Sequence, residues 1–188
     1  RSLRRWLQNV HVKPGFNYVV LEMLKVKSAS MATCQRLCTI AFDEMSLKEF
    51  VSYNSKSDLF EGFVYSDKLT GDFTSIDSKW TPPFANQAMV IMIRGIMSNV
   101  KQVIGYFLSH NAMNAGQLKD IVLETISCVQ SAGFIPKVVV TDQGSNNVLM
   151  RKLLGITEDS PWIEVDSERV FFFYDAPHLL KSLRNNFK

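Results

Sequence analysis

Three aspartates end short apolar runs of the sequence, and they are the residues best placed to do chemistry. Asp43, Asp142 and Asp175 each follow a run of residues that favour β-strands. In open α/β sheets, ligands bind at the carboxyl ends of the strands. A single aspartate in such a position is commonly a turn residue or a helix cap. The prediction of a functional site therefore depends on the three aspartates together.

Paired carboxylates of this kind point to metal-assisted chemistry. Two carboxylates at neighbouring strand ends repel each other unless a cation joins them. Their oxygen atoms favour Mg²⁺ or Mn²⁺ over zinc. Two such ions about 4 Å apart can activate a water or a 3′-hydroxyl and stabilise the leaving oxygen of a phosphodiester. Asp43 and Asp142 are therefore predicted as metal ligands of a phosphodiester-cleaving site.

The elements that must position these aspartates alternate between strands and helices. Apolar runs predict strands at residues 37–42, 59–65, 87–97, 100–109, 137–140 and 170–174. Apolar residues at helical spacing predict helices at residues 3–10, 20–27, 115–132 and 147–154, and a last helix opened by Pro177. Antiparallel strands come first and β-α-β units follow. This order predicts an α/β protein with the mixed sheet of the ribonuclease H-like fold, preceded by a short helical segment.

Composition excludes several other classes of protein. The chain has 188 residues and 46% hydrophobic content, enough for one folded domain and too much for a disordered chain. Its three cysteines form no C-x-x-C pair, which argues against a disulfide scaffold or a cysteine-rich zinc site. The longest apolar run, residues 88–97, contains Arg94 and is shorter than the roughly 20 residues of a membrane span. The net charge of +3 permits a DNA partner without arguing for one.

Three sequence motifs surround the aspartates. They are Phe-Asp-Glu-Met-Ser at 42–46, Thr-Asp-Gln-Gly-Ser-Asn-Asn at 141–147, and Tyr-Asp-Ala-Pro-His-Leu-Leu-Lys-Ser-Leu-Arg-Asn-Asn at 174–186. With the stretches at 3–7, 14–17 and 61–63, they resemble P-element-type transposases, the family that includes the THAP-domain transposase-derived proteins. The resemblance extends over nearly the whole chain, and its last motif is long and specific.

The resemblance implies a DNA transposase of the cut-and-paste type, which cleaves and transfers DNA strands with Mg²⁺ or Mn²⁺. It assigns the first two catalytic carboxylates, both metal ligands, to Asp43 and Asp142. The family's third acid, a glutamate, follows a large insertion, so we expect it beyond Lys188 and expect an incomplete catalytic fold that is inactive alone. Because that insertion binds GTP, Asp175 and Lys181 are carried over as candidate GTP contacts.

The same resemblance sets the expected organisation and partners. Residues 1–33 are predicted as a helical segment, 34–175 as the ribonuclease H-like transposase core, and 176–188 as the start of a helical, nucleotide-binding insertion. The expected partners are the DNA of the transposon ends and target, together with further copies of the protein. We expect a nuclear location and no membrane association. The family's THAP zinc finger has no counterpart in this sequence.

Three alternatives remain open at this stage. The first is a domesticated, non-catalytic DNA-binding or regulatory protein on the same fold. The second is a GTP-binding module in which Asp175 and Lys181 are the important residues. The third is a compact nuclease in which Asp175 itself is the third carboxylate.

Two further residues of the motifs, each close to one of the aspartates in sequence, are given structural roles. Glu44 is adjacent to Asp43, so in a strand its side chain points to the opposite face of the sheet. His178 is interpreted as a helix cap or core residue rather than a general base. No phosphate-binding loop and no serine nucleophile elbow occur in the sequence.

Overall fold

The centre of the structure, a computed structural model that describes residues 13–55, 58–64 and 83–187, is a seven-stranded mixed sheet. The strands in these described residues are β1 (Gly15–Phe16), β2 (Leu37–Ser46), β3 (Ser52–Asn54), β4 (Leu59–Glu61), β5 (Gln87–Gly95), β6 (Lys101–Ser109), β7 (Ile135–Thr141), β8 (Trp162–Val165) and β9 (Glu168–Tyr174). The order in the large sheet is β1–β6–β5–β2–β7–β9–β8, and β3 and β4 form a separate hairpin. The β2–β7 and β7–β9 pairs are parallel and the others are antiparallel.

Within the described residues, four α-helices connect or follow these strands. They are α1 (Tyr18–Ala29), α2 (Ala115–Ser131), α3 (Ser145–Leu153) and α4 (Ala176–Asn186). Asparagine side chains begin the first two helices: Asn17 accepts a hydrogen bond from the backbone of Val20, and Asn114 forms a capping box with Gln117. Gly133, at φ 79°, follows the end of α2, as the sequence predicts. Within the described ranges, no helix is long and apolar enough to cross a membrane.

The mixed α/β class predicted from the sequence is confirmed; the main differences are strands that were not predicted and the later end of β2. The hairpin of β5 and β6, the helix α2 and the strands β7 and β9 lie where the apolar patterns place them. The polar segment at 52–58, for which no strand is predicted, contains β3. Strand β8 was not predicted. The predicted helix at 3–10 lies outside the described residues, and the predicted division into 1–33, 34–175 and 176–188 stays a prediction.

One face of the large sheet is covered by helices and forms the core. Alternate residues of the central strands point to this face and pack against α1, α2 and α3; the strand residues include Ile40, Ile91, Ile93, Val139 and Phe172. Each of these five side chains is at most 1% exposed. On the helices, Leu24, Ile126 and Met150 meet them. This alternation is the period-two pattern that a strand imposes on its side chains.

The strand β2 is longer than the sequence indicates, because its two neighbours pair with it over different lengths. Parallel pairing with β7 ends at Ala41 and Val140, close to the predicted end of the strand. Antiparallel pairing with β5 continues to Ser46, opposite Gln87. The sequence predicts that Asp43 follows this strand. In the structure Asp43 lies inside β2, two residues past the last parallel pair.

Candidate active site

The three aspartates lie in or directly after neighbouring strands and point to the open face of the sheet. Ala41 of β2 pairs with Val140 of β7, and Asp43 and Asp142 each stand two residues further along, on the same face as that pair. Asp175 follows β9, and its backbone N–H donates to the carbonyl oxygen of Thr141 over 2.8 Å. The parallel register of β2, β7 and β9 therefore brings the three carboxylates to one edge.

The three carboxylates line one cavity of about 310 Å³, together with His178. Its floor is apolar and consists of residues from four strands: Ala41, Val90, Met92, Val103 and Val140. Asp43 is exposed, whereas Asp142 and Asp175 are half-buried. The cavity therefore holds acidic side chains above a surface that offers them no hydrogen-bond donors.

Asp142 is held at one of its two carboxylate oxygens. Its Oδ1 accepts a hydrogen bond from the backbone N–H of Gly144 over 2.8 Å and another from Nδ2 of Asn147 over 2.6 Å. Within the ranges that the structure describes, Asp142 Oδ2 and the Asp43 carboxylate have no hydrogen-bond partner, and neither aspartate forms an ion pair. Both donors to Asp142 are uncharged, so its negative charge is not neutralised.

Glu44 lies on the other side of the sheet, and its pKa is affected by the negative charges of this site. As predicted, its side chain points away from Asp43, and its Oε1 accepts a hydrogen bond from the backbone N–H of Met113 over 3.3 Å. Burial raises the pKa of Glu44, and the negative charges of Asp142 and Asp43 raise it further, against the lowering effect of the Met113 bond. The site thus carries clustered, uncompensated acidic charge.

The donor set fits a hard divalent cation in part. Carboxylate oxygens without protein cations beside them are the ligands that Mg²⁺ and Mn²⁺ prefer. Among the residues described, however, no three His, Cys, Asp or Glu side chains are arranged to hold a metal ion. Asp43 and Asp142 can thus supply part of a coordination shell, and other oxygen ligands have to complete it. The compact nuclease with Asp175 as third carboxylate receives no support from this geometry.

Asp175 is in contact with His178, which the sequence analysis interpreted as a helix cap or core residue. Asp175 Oδ2 and His178 Nδ1 are 2.7 Å apart, three residues from each other at the start of α4. Asp175 occupies the N-cap position, but its side chain makes no capping hydrogen bond. His178 is neither a cap nor a core residue: it is half-buried and lines the cavity.

Only one of the two candidate GTP contacts lines this cavity. Asp175 belongs to the cavity, whereas Lys181 is exposed on α4 and does not line it. Sequence reasoning also missed Asn147, whose contact with Asp142 spans five residues. The motif Thr-Asp-Gln-Gly-Ser-Asn-Asn contains both partners, but spacing alone does not show which asparagine reaches the carboxylate.

Two curated transposases are similar to this chain over nearly its whole length. The Transposable element P transposase of Drosophila melanogaster is 26% identical over 189 residues, which cover 99% of this chain and 21% of that protein. The DNA transposase THAP9 of Homo sapiens is 27% identical over 196 residues, which again cover 99% of this chain and 21% of that protein. The chain thus spans about a fifth of the length of these relatives.

A solved structure and a family model identify the domain. The Drosophila P element transposase strand transfer complex superposes with a TM-score of 0.71 at 25% identity, over 99% of this chain and 36% of that one. The resemblance to P-element-type transposases, predicted from the motifs, is confirmed. The family model described as TNP-like, RNase H N-terminal domain matches residues 12–155. This match covers most of the chain, which therefore belongs to the TNP-like RNase H N-terminal domain family.

Proposed function

We propose that this chain is the N-terminal part of the catalytic domain of a cut-and-paste DNA transposase, which cleaves and transfers DNA strands. The observation that carries the proposal is the pair Asp43 and Asp142: two uncompensated carboxylates in one cavity, one in β2 and the other directly after the adjacent parallel strand β7. Both named relatives are transposases, and the similar solved structure is a strand transfer complex. Those names describe whole proteins about five times as long as this chain.

In this proposal, Asp43 and Asp142 hold Mg²⁺ or Mn²⁺ against the scissile phosphodiester. When bound, the metal supplies Lewis-acid stabilisation of the charge that develops on the phosphate group. The carboxylates bind and orient it, and the hydrogen bonds to Asp142 Oδ1 keep one carboxylate oxygen occupied. The apolar floor of Val90, Met92 and Val140 limits the access of water to the carboxylates from the side of the sheet.

The finer assignments belong to the same proposal. The DNA partners are the transposon ends and the target, and the full-length protein acts as a homo-oligomer in the nucleus. The relatives named above support the DNA partner. Binding of GTP through Asp175 and Lys181 stays a prediction, and calorimetric titration of the protein with GTP tests it.

Isosteric replacement of the two aspartates tests the function. Asp43→Asn and Asp142→Asn, each made in the full-length protein, should abolish strand cleavage of transposon-end DNA and leave DNA binding intact. Asp120→Asn, an exposed aspartate on α2 outside the cavity, is the matched control and should cleave normally. Normal cleavage by either site variant would refute the catalytic assignment.

The same assay separates the proposal from a non-catalytic protein on this fold. A domesticated DNA-binding protein would bind DNA as the wild type but show no cleavage, with or without Mg²⁺ or Mn²⁺. In that case the two asparagine variants would behave like the wild type in every assay.

A further inference from the structure

We propose that Asn147 is a positioning residue that fixes the Asp142 carboxylate for cation binding. The inference rests on the proposed function, because it assumes that Asp142 is a metal ligand. It starts from the shortest hydrogen bond of the site, 2.6 Å from Asn147 Nδ2 to Asp142 Oδ1. Asn147 lies in the first turn of α3, which begins immediately after the loop that carries Asp142.

Asn147 and Gly144 restrain the same oxygen of Asp142. The backbone N–H of Gly144 donates to Oδ1 over 2.8 Å, and the Asn147 amide donates to it from α3. The last torsion of an aspartate side chain is broad, so one backbone contact leaves the carboxylate free to turn. A second donor, on a helix, fixes its plane and leaves Oδ2 as the oxygen available to a cation.

The chemistry of the donor suits this role. An arginine or lysine in the place of Asn147 would also orient the carboxylate, but its positive charge would compete with the cation. The amide of Asn147 orients Asp142 without neutralising it. Groups that hold metal ligands in this way commonly change metal affinity 10- to 100-fold when they are replaced.

The other end of the Asn147 amide fixes its orientation. Its Oδ1 is buried and has no hydrogen-bond donor in the part of the chain that the structure describes. Turning the amide over would place this oxygen against the Asp142 carboxylate, which only accepts hydrogen bonds when ionised. Asn147 therefore keeps its Nδ2 donor on Asp142 while its own Oδ1 stays unpaired. The orientation of the amide is thus set by its contact with Asp142.

Gly144 makes room for the arrangement. A Cβ at this position would lie 3.0 Å from Asp142 Oδ1, closer than side chains normally approach. Glycine therefore lets the carboxylate fold back onto the start of α3, where Asn147 reaches it. The adjacent Asn146 is also half-buried, so a change there is a matched control for a change at Asn147.

Metal binding gives the direct test, in the full-length protein. Free Mn²⁺ is measured by electron paramagnetic resonance during titration of the wild type, Asn147→Leu, Asn146→Leu and Asp142→Asn, and thermal unfolding is followed in parallel. Asn147→Leu should bind Mn²⁺ about 10- to 100-fold more weakly, and Asn146→Leu should bind it like the wild type. The Mg²⁺ concentration that gives half-maximal cleavage should rise by the same factor in Asn147→Leu.

The outcomes separate this inference from the proposed function. If the wild type binds no Mn²⁺ at this site, or Asp142→Asn binds it equally well, the metal site itself is wrong. If Asp142→Asn loses binding but Asn147→Leu does not, the metal site stands and the positioning role is refuted. Asn147→Ser, which keeps a polar side chain but cannot reach Asp142, should repeat the loss; unfolding of both Asn147 variants would show a structural role and overturn the inference.

Discussion

The two faces of the central sheet are built by the same strands but do different work. On the face covered by α1, α2 and α3, residues such as Ile91 and Phe172 are 1% exposed. On the open face, Val103 is 44% and Phe173 is 52% exposed, and the carboxylates stand among such residues. Phe172 and Phe173 are neighbours in β9, so one step along the chain crosses from one environment to the other.

This difference teaches how the fold tolerates an acidic cluster. Repelling carboxylates without cations destabilise a folded protein, since their charges are held close together. Here they stand on the face that contributes least to the buried core, and the helix-covered face supplies most of the apolar burial. Because strands alternate their side chains, stability and chemistry are assigned to different residues of the same strands.

The largest expected effect compares Phe172 with Phe173. Phe172→Ala should lower the free energy of unfolding by about 3–5 kcal/mol, because it removes a fully buried ring and leaves a cavity. Phe173→Ala removes the same atoms from the open face and should cost less than about 1 kcal/mol. Urea unfolding of both variants measures the difference. Equal losses would show that the open face is covered as completely as the other one.

The next prediction uses two cysteines with different surroundings. Cys38 is fully buried on the covered face, and burial raises the pKa of its thiol from 9.0 to about 12. At pH 8 this lowers the thiolate fraction of Cys38 about a thousandfold. Because the thiolate is the reactive form, labelling of Cys38 should slow by a similar factor. Cys34 is exposed and should react with a thiol reagent under native conditions, while Cys38 should wait for unfolding. Mass spectrometry of peptides after timed labelling measures both rates, and rapid native labelling of Cys38 would contradict the burial of this face.

The covered face was the easier one to predict from the sequence. Its apolar residues recur with the periods of strands and helices, so the positions of α2, β5, β6 and β7 could be read directly. Strand β8 was missed because its turn lacks the usual signal. Asp166 and Ser167 adopt φ values of 51° and 63° between β8 and β9, a conformation normally marked by Asn-Gly or Asp-Gly.

The candidate site was predictable only in its acidic residues. Asp43, Asp142 and Asp175 come together because the parallel pairings of β2, β7 and β9 end at one edge of the sheet, which the element order predicts. The contacts of Asn147 and His178 depend on side-chain torsions and on the loops before α3 and α4, which no sequence period describes. The length of β2 depended on its pairing with β5, a contact between residues more than 40 positions apart.

The smallest expected effect concerns Glu44. Its side chain lies on the covered face, but its pKa is affected by the carboxylates of the open face. Its pKa is raised in the folded protein, first by burial and then by Asp142 and Asp43, so its ionisation opposes folding. Stability is therefore lost as pH rises from the ordinary pKa of 4.5 through the raised value.

Glu44→Gln keeps an oxygen acceptor for the Met113 N–H and removes the charge. Since Glu44 is only half-buried and screened by water, the variant should be more stable by about 0.5 kcal/mol at pH 7 and equal to the wild type at about pH 3. Urea unfolding at both pH values measures this. Excess Mn²⁺ should narrow the gap at pH 7, because a cation between Asp43 and Asp142 offsets the field that acts on Glu44. A variant less stable than the wild type at pH 7 would mean that the ionised carboxylate gains more from Met113 than it loses to its acidic neighbours.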